Sequence, residues 1–170
     1  MAKQERPLRV LVLCTGNACR SQMAEGWLRH LAAGRLPLEV RSAGLEAHGL
    51  NPRAVASMAE VGVDISTHTS DVVADAVLAW ADLLITVCGH ADEHCPVVPT
   101  RVERLHWPLP DPARAEGTEA EVRAAFAAVR DDLRARIESL IEDRIGATGA
   151  AGNSPPDRGR HGSKGQEGGQ

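Results

Sequence analysis

Tyrosine is absent from this chain of 170 residues, and Trp27, Trp80, Trp107 and Phe126 are its only aromatic residues. With 43% hydrophobic residues there is enough apolar material for one domain, but its core has to be packed from Leu, Val, Ile and Ala. No apolar run comes near the roughly 18 residues that span a bilayer. The start, Met-Ala-Lys-Gln-Glu-Arg-Pro, lacks the apolar centre of a secretory signal, so a cytoplasmic protein is expected. Strong charge of either sign is missing too. A net charge of −4 and a pI near 6.0 provide no field for nucleic acid or an anionic membrane, so any anion site has to be local. Internal repeats are absent. Cysteine is scarce, four in all, and in a reducing compartment such residues serve catalysis or metal binding more often than a permanent disulfide framework.

The final stretch lacks the most. Beyond Ile145 there is no Leu, Ile, Val, Phe or Trp, and eight of the 16 glycines lie between Gly146 and Gln170. Such a segment cannot bury enough apolar surface to offset its ordering entropy. The expected organisation is one domain over 1–145 and a disordered, solvated tail over 146–170, whose Arg158, Arg160, His161 and Lys164 offer at most a weak tether.

What is present is an alternation of strand and helix. Residues 8–13 read as a buried strand and 22–33 as an amphipathic helix with Met23, Trp27, Leu28 and Leu31 on one face, ended by Gly34. Leu38 to Ser42 reads as the second strand. Asn51-Pro52 provides a cap and first position for a helix to about Val61, stopped by Gly62. A helix over 71–80, strands over 82–87 and 103–106, and a long helix from Thr118 to about Ile145, with Glu121 as capping partner, complete the pattern. The order β-α-β-α-α-β-β-α predicts an open parallel four-stranded sheet with helices on both faces and a site at the carboxyl ends of its strands. Cys14 and Cys88 each follow a strand directly, which sets both at one rim of the sheet.

The run Leu11-Val12-Leu13-Cys14-Thr15-Gly16-Asn17-Ala18-Cys19-Arg20-Ser21-Gln22 carries the chemistry. A strand delivers Cys14 into a short loop of small residues whose backbone N–H groups can converge on a tetrahedral anion, and the helix beginning at Arg20 turns its positive end to the same point. A helix start and a neighbouring arginine favour the thiolate, so Cys14 reads as a nucleophile. The oxyanion-binding set is Cys14, Thr15, Gly16, Asn17, Ala18, Cys19, Arg20 and Ser21. Within it Asn17 props the loop, Ser21 bonds the Cys14 sulfur, and Cys19 turns toward the sheet as a small hydrophobe. Cys88 and Cys95 stand in Val-Cys-Gly-His-Ala-Asp-Glu-His-Cys-Pro, where redox use, a zinc site with His90 and His94, and a purely structural role all remain open.

Cys14-Thr-Gly-Asn-x-Cys-Arg-Ser-Gln-Met-Ala-Glu-Gly resembles the phosphate loop of the low-molecular-weight protein tyrosine phosphatase superfamily, in its arsenate reductase branch. Ser42-Ala43-Gly44, residues 46–52, Thr69-Ser70-Asp71, Cys88-Gly89, Cys95-Pro96, His106-Trp107 and Asp111-Pro112-Ala113-Arg114 extend the likeness over most of residues 8 to 140.

The resemblance implies reduction of arsenate to arsenite with no required cofactor, phosphate and sulfate as competing anions, and electrons from thioredoxin, with mycothiol and glutathione as alternative donors. It implies a relay in which Cys14 attacks arsenate, Cys88 attacks Cys14, and Cys95 carries the disulfide outward. It also implies that Asp111 supplies the proton to the oxygen that departs when Cys14 attacks. Potassium at Asn17, Glu25, Ser42 and Asp71, tuned by His68, is a further implication. A monomer is expected. The competing functions are a tyrosine phosphatase, which leaves Cys88 and Cys95 without work and expects aromatic walls, and a redox or metal sensor, which needs no general acid.

Overall fold

The computed structural model describes residues 6–149. Four strands, β1 (Leu8–Cys14), β2 (Leu38–Gly44), β3 (Leu83–Thr86) and β4 (Glu103–His106), form one sheet in the order β2-β1-β3-β4. Every pairing is parallel, with Leu8 opposite Leu38, Val10 opposite Leu83 and Leu83 opposite Glu103. From Val10 to Cys14 and from Leu83 to Thr86 each residue is buried, because both faces of a parallel sheet are covered and its central strands cannot alternate. Helices α1 (Arg20–Ala32), α2 (Pro52–Ala59) and α5 (Glu119–Gly149) pack on one another over one face. Helix α3 (Asp75–Trp80) follows α2 on the connection from β2 to β3 and packs against β1.

The punctuation expected from sequence is observed. Asn51 accepts the Arg53 N–H at 2.8 Å ahead of Pro52, the Glu121 N–H reaches Thr118 Oγ1 at 3.1 Å, and Gly34 and Gly62 adopt φ of +73° and +78°. Four elements differ. The helix expected over 71–80 starts only at Asp75, because Val72 bridges Gly44 and its β-branched neighbours extend the rim of the sheet. A fifth helix, α4 (Gly89–Glu93), links β3 to β4. Helix α1 is not amphipathic over its first two turns, since Ser21 to Leu28 are all buried beneath the site loop and α5. Helix α5 runs four residues past the expected end of the domain, to Gly149; the rest of the 146–170 tail lies outside the described residues.

Candidate active site

The loop from Cys14 to Cys19 joins β1 to α1, and its carbonyls are all claimed from outside. Cys14, Thr15, Gly16 and Ala18 accept the N–H groups of Leu45, Glu46, His48 and Asn51 at 2.8–3.1 Å, Cys19 accepts Met23 N–H at 2.9 Å, and Gln22 Nε2 takes the Asn17 carbonyl at 3.0 Å. The segment after β2 therefore sleeves the loop. With its oxygens turned outward, the loop presents N–H groups inward, and those of Thr15, Gly16, Ala18, Cys19 and Arg20 have no partner among the described residues. Together with the free first turn of α1 they form a cup of donors suited to a tetrahedral anion.

Cys14 lies in this cup, almost wholly buried. Its Sγ accepts the Asn17 N–H at 3.1 Å and sits 2.9 Å from Ser21 Oγ. Asn17 Nδ2 donates to that hydroxyl oxygen at 2.8 Å, which turns the Ser21 hydrogen toward sulfur. Two donors thus point at the Cys14 sulfur. Asn17 spends its remaining groups on Ser42 Oγ, at 3.0 Å, and the Asp71 N–H, at 2.8 Å. Its backbone is left-handed, with φ of +48°, which asparagine tolerates better than most residues.

Arg20 ties the loop to the segment opposite. Its Nη1 donates to the Leu109 carbonyl at 3.0 Å and its Nη2 lies 3.7 Å from Asp111 Oδ2. Asp111 also caps the 3-10 turn Pro112–Arg114 by accepting the Ala113 N–H at 3.0 Å, so its carboxyl is held at the mouth of the cleft. That cleft, about 840 Å³, is bordered by Cys14, Arg20, Cys88 and Asp111 together with His48, Asn51, His90 and Arg114. No tryptophan or phenylalanine lines it.

Cys88 meets the loop at the rim, as the strand ends require. Its Sγ lies 3.3 Å from Thr15 Oγ1 and accepts the Ala91 N–H at 3.4 Å, so it caps α4. Cys95 is half-buried just beyond α4, and burial raises its thiol pKa above the ordinary value. All four thiols are free. The zinc alternative has no geometry behind it: among the described residues no three His, Cys, Asp or Glu side chains are grouped to hold a metal, and His90 and His94 stack on each other at 4.3 Å.

Cys19 is buried and counts among the core residues. Burial first, then the nearby Asp111 and Cys14, push its pKa to about 12.

Of the four oxygen ligands expected for potassium, Glu25, Ser42 and Asp71 border a second cavity, of about 490 Å³, and Asn17 adjoins it, its amide holding Ser42 Oγ and the Asp71 N–H. Glu25 already holds Arg29 at 3.3 Å and His68 Nδ1 at 2.8 Å. Since Nδ1 also faces Gln22 Oε1 at 3.0 Å, it carries the proton, and Nε2 receives Arg29 Nη1 at 3.2 Å. Glu25 is thus already paired with one cation, Arg29.

Sequence reasoning gives Gln22 and His48 no role and Asn51 only that of a helix cap, although all three hold loop carbonyls. A polar Gln22 within the buried stretch of a helix was the one signal available.

Fold and site together define a class: a cysteine at the carboxyl end of a parallel strand, inside a loop built to surround an oxyanion. The chain belongs to the low molecular weight phosphotyrosine protein phosphatase family, whose model matches residues 9–148. It is 53% identical over 134 residues to an arsenate reductase of Bacillus licheniformis, a match covering 78% of this chain and 94% of the relative. A solved arsenate reductase in the phosphate-binding state is 34% identical, with a TM-score of 0.65 and coverage of 80% of this chain and 98% of its own. The thioredoxin-dependent arsenate reductase of Corynebacterium glutamicum is 30% identical with a TM-score of 0.65, covering 86% of this chain and 65% of that one.

Proposed function

We propose that the chain reduces arsenate to arsenite through Cys14, Cys88 and Cys95, with thioredoxin restoring the thiols. The Cys14 thiolate attacks arsenic of the bound anion, and Asp111 protonates the departing oxygen, which leaves as water. Arg20 and the inward N–H groups hold the remaining oxygens. Cys88 then attacks the Cys14 sulfur; the S–As bond breaks, its electron pair stays on arsenic, and arsenite leaves behind a Cys14–Cys88 disulfide. Cys95 displaces Cys14 from Cys88, and a thioredoxin dithiol reduces the Cys88–Cys95 bond. Phosphate and sulfate compete for the cup, and a reducing cytoplasm is the compartment this chemistry needs. We assign potassium no step.

The observation that carries this reading is Cys88 Sγ at 3.3 Å from a side chain of the oxyanion loop. A phosphatase needs no second thiol there, and a phosphotyrosine ring would find no tryptophan or phenylalanine wall in this cleft. The test is NADPH consumption with arsenate, thioredoxin and thioredoxin reductase. It should proceed only with all components present, stop in Cys14→Ser and Cys88→Ser, and leave aryl phosphate hydrolysis intact in Cys88→Ser alone. Arsenate-independent consumption, or equal loss of both activities in Cys88→Ser, removes the assignment.

A further inference from the structure

We propose that Asp92 is a positioning residue that latches α4 to the end of the sheet and so sets how fast Cys95 reaches Cys88. This rests on the relay above. Helix α4 has five residues, too few to persist without tertiary support, and it is held at both ends. At its start Cys88 Sγ accepts the Ala91 N–H. Near its end Asp92 Oδ1 accepts the Thr86 hydroxyl at 3.0 Å and Arg104 Nη2 at 3.3 Å, and Arg104 also reaches the Asp92 carbonyl at 3.5 Å. His106 Nδ1 stands 2.8 Å from Thr86 Oγ1 and 3.9 Å from the same carboxylate oxygen. One side chain thus joins α4 to Thr86 and His106 at the carboxyl ends of β3 and β4 and to Arg104 within β4.

The chemistry removes the first hold and leaves the second. Once Cys88 is bonded to Cys14, its sulfur is neutral and drawn to the loop, and the cap on α4 weakens. Cys95 must then attack Cys88 Sγ: the Cys88–Cys95 bond forms, the Cys14–Cys88 bond breaks, and Cys14 leaves as thiolate with the electron pair. Cys88 and Cys95 flank the five helical residues Gly89–Glu93, whose rise of about 1.5 Å each sets the ends of α4 roughly 6 Å apart, and the extended Cys88 and the turn at His94 add to that span. A disulfide tolerates about 7 Å at most, so α4 has to open, and what still resists opening is the cluster on Asp92. Burial raises the Cys95 pKa, Arg104 lowers it and Asp92 raises it, so opening also relieves the desolvation that holds it up.

The experiment is a single turnover of the full chain with arsenate and no thioredoxin, quenched by alkylation, with disulfides mapped by mass spectrometry over time. In Asp92→Ala, conversion of Cys14–Cys88 to Cys88–Cys95 should be about tenfold faster, equivalent to 1.4 kcal/mol of latch. Asp92→Asn, whose amide oxygen still accepts from Thr86, should fall between it and the parent. The KM for arsenate and aryl phosphate hydrolysis should not move, since neither requires α4 to open. Arg104→Gln loosens the latch from the strand side and should accelerate the same step, should Asp92→Ala fold poorly. Unchanged or slower conversion in the folded variants, beside normal conversion in the parent, overturns the latch. A parent chain that never forms Cys88–Cys95 overturns the relay, and the latch with it.

Discussion

Two cysteines five positions apart, Cys14 and Cys19, show how far environment separates identical side chains. Cys14 receives two hydrogen-bond donors, whereas Cys19 is desolvated beside Asp111 and Cys14. The Cys19 pKa is raised from 9.0 to about 12 on folding, so the folded protein keeps a proton that the unfolded chain gives up. Its contribution to stability is therefore whole below pH 9 and is lost as pH climbs from 9 toward 12. Urea unfolding across that interval should show a steeper decline in the parent than in Cys19→Ser, whose hydroxyl does not ionise; parallel declines would mean that the Cys19 thiol is not shielded. The sequence marked Cys19 as a bystander from its place beside Arg20. The proximity of Asp111 that raises its pKa was illegible, because it depends on where a segment 92 positions away docks.

At the scale of elements, the strand–loop–helix from Leu8 to Ala32 works because the segment after β2 runs against it and takes its carbonyls. Gly44 makes that approach possible. A Cβ there would stand 2.3 Å from the Glu46 carbonyl and 2.8 Å from both Asn17 N and the Thr15 carbonyl, all backbone atoms that cannot swing away. Gly44→Ala should cost about 1–3 kcal/mol, as overpacking does. In a domain of this size that is a fall of about 2–4 °C in Tm per kcal/mol. Arsenate turnover should fall further than thermal stability suggests, because the strain enters at Asn17 and the cup. Turnover equal to the parent's would show that the loop can move aside without losing its geometry. The caps and stops of these elements were legible because they depend on residues within one turn. Helix α4 was not, since Gly-His-Ala-Asp-Glu has little intrinsic preference to fold and is held through Asp92 by distant strands.

For the molecule as a whole, α5 closes the face of the sheet that carries α1, through Phe126, Val129, Leu133, Ile137 and Ile141. Phe126, 1% exposed, is the largest apolar side chain in that row, and the Trp27 indole N–H meets the Arg130 carbonyl at 2.9 Å to register α5 on α1. Phe126→Ala should cost about 3–5 kcal/mol, against a total stability of roughly 5–15. Denaturant unfolding should show the midpoint falling with no change in slope; a loss under 1 kcal/mol would mean that the core refills the void. Scarcity of aromatics makes this one position weigh so much. By itself the sequence determined the alternation of strands and helices, the parallel sheet, and the oxyanion loop from Cys14 to Ser21, because hydrophobic period, caps and loop chemistry are properties of neighbouring residues. Only the tertiary structure decided that Thr15 meets Cys88 across 73 positions, that Gln22 and Asn51 hold the loop, and that Arg29 and His68 occupy Glu25. Those contacts exist because β1 lies between β2 and β3, and strand order is settled by the packing of the whole chain rather than by any segment of it.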